Sequence, residues 1–138
     1  MDNSIQQTVI KDETGAIIRL VYDKNEDMLD IFFGENESAT GVELTDHIIL
    51  RLNRKTGQAF SLTLLHFSIL IERTEYGPRS YPLDKLMELP EDLKEQVIHI
   101  ITAPPVNKFL KISFSQESPT RRVPLTYVES YRVAAFAA

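Results

Sequence analysis

Tyr22-Asp23-Lys24-Asn25-Glu26-Asp27-Met28-Leu29-Asp30-Ile31-Phe32-Phe33 spells out the end of one strand, an acidic turn and a second strand. Leu20 and Tyr22 before the turn, and Leu29, Ile31 and Phe33 after it, alternate with Arg19, Asp30 and their neighbours. A period of two buries one face of a pleated strand and turns the other towards solvent or a second layer. The stretch predicts an antiparallel hairpin with one apolar face. It carries architecture and no catalytic apparatus.

The same grammar recurs on both sides. Residues 8–11 and 16–22 read as the arms of a first hairpin around Asp12-Glu13-Thr14-Gly15, where Gly15 supplies the positive φ such a loop needs. Gly34-Glu35-Asn36-Glu37 and Thr45-Asp46 read as further turns. Between them residues 40–44 form a short strand with Gly41 as a candidate bulge, and residues 47–53 a longer one that buries Ile48, Leu50 and Leu52. The loop Asn53-Arg54-Lys55-Thr56-Gly57-Gln58 leads into residues 59–65, with Phe60, Leu62 and Leu64 in one phase. The expectation for residues 1–67 is a meander of five or six antiparallel strands. The turns at Thr14-Gly15 and Thr56-Gly57 hint at an internal repeat.

After Phe67 the texture changes. Residues 73–82 contain Gly77, Pro78 and Pro82 without a clear period and read as a loop. Pro90-Glu91-Asp92-Leu93 opens a helix: proline suits the first helical position, and two acids suit the positive end of the helix dipole. Leu93, Val97, Ile100 and Ile101 fall on one face, and Ala103-Pro104-Pro105 stops the helix. Residues 108–115 and 122–128 form a final β pair around a polar turn at 116–120, and the apolar tail at 133–138 is expected either to dock or to stay disordered. The expected fold class is α+β: an antiparallel β-meander sheet with one packed C-terminal helix over residues 90–102 and a final β pair, in one domain.

Composition narrows the function classes. A chain of 138 residues with 43% hydrophobic and 25% charged residues sustains one core without metal or disulfide. The absence of cysteine removes disulfides, thiolate nucleophiles and Cys-ligated zinc or iron–sulfur centres, and fits a cytoplasmic setting. No basic, apolar leader opens the sequence, and the longest apolar-leaning stretch, residues 60–71, is too short to span a bilayer and is broken by Ser61, Thr63, His66 and Ser68. A net charge of −5 argues against a nucleic-acid partner, because duplex binders concentrate Lys and Arg on one face.

From Tyr22 onward the pattern Tyr-Asp-x-x-x-Asp-x-Leu-x-Ile-x-Phe, followed by Val42-Glu43-Leu44, Ile48-Ile49-Leu50 and a glycine-centred turn, resembles a small bacterial β-meander family of unknown function. The resemblance covers about residues 16–67. It implies a fold core and carries over no catalytic residue. The extra N-terminal strand and the long C-terminal extension depart from the short family form.

Candidate chemistry is sparse. Asp23, Asn25 and Asp27 have the spacing that opens a calcium loop, but Met28 stands where the loop needs glycine and Gly34 where it needs the closing glutamate. His47, His66 and His99 have no helical i, i+4 partner, so no metal site is expected. His99 falls opposite the apolar helix face, and His66 continues the phase of Leu62 and Leu64 as a hydrogen-bonded residue at the core margin. No nucleophile elbow or phosphate-cradling loop is present. The expectation is a non-catalytic module without cofactor. Apolar residues on both strand phases, such as Phe32 beside Phe33 and Ile48 beside Ile49, point to a homodimer or a protein partner on the second face. The rival expectation is a small-molecule pocket between sheet and helix, near His66, Tyr76 and Tyr81.

Overall fold

The computed structural model describes residues 4–34 and 39–129. The expected turn beyond Gly34 and the tail at 133–138 lie outside the described residues. The fold is α+β, dominated by antiparallel sheet.

Six strands form the main sheet: β1 Ile5–Lys11, β2 Ile17–Asp23, β3 Met28–Phe32, β4 Thr40–Thr45, β5 Ile48–Asn53 and β6 Gln58–Leu65. Their order is β1-β2-β3-β6-β5-β4, with every neighbouring pair antiparallel. This is not the continuous meander expected from the sequence. After β3 the chain passes to the far edge, re-enters as β4 and works back, so that two three-stranded meanders meet at β3–β6. Ile31 faces Leu62 at that seam, and the row runs outward through Leu20 on one side and through Leu50 and Val42 on the other. All five side chains are buried. Fusing two meanders in this way buries one uninterrupted apolar face.

Two bulges adjust the phase. The β4–β5 bulge falls between Glu43 and Thr45, at Leu44 and not at Gly41. In β6, Arg51 faces Ser61 and Leu52 faces Ala59, so Phe60 is an extra residue. The bulge takes Phe60 out of the inward phase expected for it: its ring stacks edge-on against Phe32, 5.9 Å between centroids, and it stands apart from the main core cluster.

A short helix, α1 Phe67–Leu70, follows β6 at a corner. The segment expected to be loop contains a two-strand ribbon, β7 Arg73–Thr74 with β8 Gly77–Pro78, and then β9 Tyr81–Pro82. A 3-10 turn at Leu86–Glu88 leads to α2 Glu91–Ile101, with Pro90 as its N-cap residue. Val97, Ile100 and Ile101 are buried on its inner face, as the spacing predicts. β10 Leu110–Ser118 and β11 Arg121–Val128 pair as a hairpin longer than the sequence suggested, with the turn confined to Pro119 and Thr120. β9 adds to β11, so the terminal unit is a three-stranded sheet, not an isolated pair.

Val97, Ile100, Ile101, Val106, Phe109, Leu110 and Val128 join the inward residues of the six-stranded sheet in one core. Charged contacts pin its turns to this second layer: Arg54 of the β5–β6 turn pairs with Asp92 of α2 at 3.1 Å, Lys108 pairs with Glu13 of the β1–β2 turn, and Lys85 bridges Glu43 and Asp46.

Candidate functional site

Because strand side chains alternate, covering the inward face leaves an outward face of opposite parity. One outward row crosses all six strands as Val9, Arg19, Phe32, Ser61, Arg51 and Gly41. The next reads Gln7, Val21, Asp30, Thr63, Ile49 and Glu43. None of these residues belongs to the core cluster that binds sheet to helix. The two arginines lie over aromatic rings, Arg19 4.5 Å from the centroid of Phe32 and Arg51 5.0 Å from that of Phe60. Such stacks hold the cation flat on the sheet and keep the face shallow. Thr63 donates a hydrogen bond to Asp30 across the β3–β6 seam.

Towards β1 the face becomes bare. Ile5, Val9 and Ile17 are 44%, 59% and 63% exposed. All three are outward by register: Ile5 faces Asp23, Val9 faces Arg19 and Ile17 faces Lys11. Along the whole of β1 only Ile10 is half-buried on the core side, so this edge strand owes its place almost entirely to backbone pairing with β2.

A groove of about 530 Å³ opens at one end of the main sheet, between it and the C-terminal end of α2. Ile18, Phe33, Phe60, Ile100 and Pro104 form apolar walls, and Asp12, Thr14, Gln58 and His99 supply polar groups. The Asp12 carboxylate is already engaged, accepting from the Thr14 amide and hydroxyl and from the Ala16 amide. The Thr14 hydrogen bond is the main cause of its pKa lying below the ordinary carboxylate value. His66, Tyr76 and Tyr81 do not line this groove.

Those three lie on the α1 side of the molecule. Tyr76 is 91% exposed in the β7–β8 turn. Tyr81, half-buried in β9, donates its hydroxyl to the Ile69 carbonyl at 3.2 Å, and burial pushes its pKa up. His66 does not continue the inward phase of β6: it caps α1 with φ 55°, and its ring is exposed. Its Nδ1 lies 3.0 Å from Nδ1 of His47, which sits in the β4–β5 turn and not at the start of the strand as expected. Phe32 and Ile49 share the outward face in adjacent rows. His99 is exposed on α2, as its helical angle predicts.

The acidic turn has a structural use. Asp23 Oδ1 accepts the amides of Asn25 and Glu26, while Asp27 adopts φ 51° and turns its carboxylate towards α1. There it accepts the Tyr22 hydroxyl at 2.7 Å, the Ser68 hydroxyl at 2.6 Å and the Ser68 amide at 3.0 Å. Burial raises the Asp27 pKa, but these hydrogen bonds outweigh it and the net shift is downward. Two of the side chains that a calcium loop would turn inward, Asp23 and Asp27, are spent on the fold. Among the described residues no group of three or more His, Asp or Glu is placed to hold a metal ion, and no helix is long and apolar enough to cross a membrane. Compared with protein-family models, curated proteins and solved structures, the chain finds no match.

Proposed function

We propose that the protein is a non-catalytic self-associating module that packs the outward face of its six-stranded sheet on a second copy. The observation that carries this reading is the concentration of Ile5, Val9 and Ile17, each at least 44% exposed, on the outward side of β1 and β2. Solvent-exposed apolar side chains grouped in this way mark interaction surfaces more often than those scattered singly.

Area and charge support a second copy as the occupant. Six strands about 4.8 Å apart and about 20 Å long present a flat footprint of about 500 Å², and side-chain relief carries it towards the roughly 800 Å² per partner of a standard interface. The face holds both signs, Arg19 and Arg51 beside Asp30, which lets a two-fold copy set opposite charges against one another. The cysteine-free composition fits a reducing, cytoplasmic setting.

Light scattering coupled to size exclusion, over a hundredfold range of concentration, tests the reading. The wild type is expected to run as a dimer. The double variant Val9→Lys, Ile17→Lys, whose side chains already face outward, is expected to run as a folded monomer by circular dichroism. A wild type that stays monomeric at every concentration overturns the proposal. The groove at the end of α2 favours a second reading, a small-molecule binding module, since its volume falls in the range of ligand pockets. A ligand that raises the melting temperature of wild type and not of Ile100→Trp, which fills the groove, would support it.

A further inference from the structure

We propose that His47 and His66 form a two-imidazole site for a borderline divalent transition-metal ion, with Zn²⁺ as the representative. The two residues are 19 apart in sequence, and the sheet brings their Nδ1 atoms to 3.0 Å, with ring planes at 87°. Two imidazole nitrogens bound to one tetrahedral zinc at about 2.0 to 2.1 Å stand about 3.3 Å apart. The pair is therefore within a few tenths of an ångström of a ligating separation. Small rotations about the side-chain bonds turn the two lone pairs from each other onto a shared ion, and the exposed ring of His66 has room for them.

Both rings stand on a fixed backbone. The Leu65 amide donates to the His47 carbonyl at 2.8 Å, and the His47 amide donates to the hydroxyl of buried Thr45 at 2.9 Å. His66 is held in the left-handed region, and its carbonyl accepts the amides of Ile69 and Leu70. A non-glycine residue in that region is strained and persists only where its surroundings enforce it. Preorganised ligands lose little conformational entropy on binding.

The chemistry balances without a co-reactant. In the hydrogen-bonded pair one ring donates its Nδ1 proton to the other ring's lone pair. For both Nδ1 atoms to ligate, that proton moves through solvent to Nε2 of its own ring, and two neutral imidazoles result. Imidazole nitrogen suits zinc, copper and nickel. The Asp27 carboxylate, which holds the Ser68 amide and hydroxyl just past His66, and Asp46, which precedes His47 in the chain, place negative charge near the two rings. Lys85 neutralises part of it by pairing with Asp46 at 2.8 Å. No third protein ligand is in place among the described residues, so water completes the coordination and the site is open to a further donor.

The test is titration of the full chain with zinc chloride alone, followed by calorimetry and by long-range ¹H–¹⁵N spectra of the imidazoles. Expected is saturable binding of one ion per chain, with the Nδ1 resonances of His47 and His66 shifting together. His47→Gln and His66→Asn should each weaken binding at least tenfold, while His99→Gln leaves it unchanged. Asparagine tolerates the left-handed backbone at position 66, and His47→Gln in its turn gives an independent probe should the other variant lose its fold. Non-saturable binding, or saturable binding that survives His47→Gln, overturns the site.

Discussion

Asp27 and His66 are the two non-glycine residues with positive φ among those described, and they meet across the same corner: Asp27 holds the start of α1 through Ser68 while His66 precedes it. Asparagine at position 27 keeps the shape and the tolerance for that backbone but removes the charge that three donors share. Asp27→Asn is expected to cost about 1.5 to 3 kcal/mol, the range for hydrogen bonds to a charged group, and urea unfolding at neutral pH measures it. The pH dependence has a definite sign. Because the folded pKa of Asp27 lies below its ordinary value of 3.8, the unfolded chain binds more protons in that window, so this contribution is complete above pH 4 or so and is lost as pH falls through the folded pKa. At the alkaline end, burial and then the bond to Asp27 push the Tyr22 hydroxyl up to about 12. The unfolded chain ionises first, so stability drains away between pH 10 and about 12. Tyr22→Phe should flatten the alkaline limb of a pH–stability profile and also shrink the acid limb, because the lost hydroxyl is one of the donors that hold the Asp27 pKa down. The sequence shows the Asp-x-Asn-x-Asp spacing but not its use, since the acceptor role of Asp27 depends on Ser68, 41 residues away in the chain.

The β2–β3 and β5–β6 hairpins are built alike. Asp23 and Asn53 each accept two amides from the following turn, Asn25 and Glu26 in one case and Lys55 and Thr56 in the other, and each turn ends in a left-handed residue, Asp27 or Gly57. The repeat therefore relates Asp27 to Gly57, and not the Thr14-Gly15 turn to the Thr56-Gly57 turn as the sequence suggested. Gly57 has room for a methyl group, its nearest neighbour being Gln96 Nε2 at 3.7 Å, so the cost of Gly57→Ala is conformational. It should be about 1 kcal/mol, read from the shift in urea midpoint, with Gly57→Asn milder. Strand identity and the inward phase of Leu20, Leu29, Ile31, Ile48 and Leu50 are legible from a period of two. Strand order is not, because β3 presents the same apolar alternation whether it pairs with β4 or with β6. Nor is the outward turn of Phe60, since a bulge adds one residue without marking it in the sequence.

Self-association and the internal core make different demands on stability, and that difference separates them. Leu62 is fully buried at the seam of the two meanders, so Leu62→Ala should destabilise every chain by about 2 to 5 kcal/mol whatever its oligomeric state. Under the proposed self-association, the outward face contributes only when a second copy is present. Binding to the folded state alone makes apparent stability rise with concentration, so the wild-type melting temperature should climb as protein is concentrated. Leu62→Ala should melt lower yet retain that climb, because its outward face is intact. The Val9→Lys, Ile17→Lys variant should lose the climb while melting near the wild type at high dilution, since neither side chain belongs to the core. The outward surface is legible in part: apolar residues on both phases point to a second face, but the exposure of Ile5, Val9 and Ile17 emerges only once β1 is seen to lie at the sheet edge, with no helix across it among the described residues. Differential scanning calorimetry of the three proteins across a hundredfold range of concentration distinguishes the cases. A wild-type melting temperature independent of concentration would assign those three residues to an uncovered edge and leave the groove beside α2 as the surface to pursue.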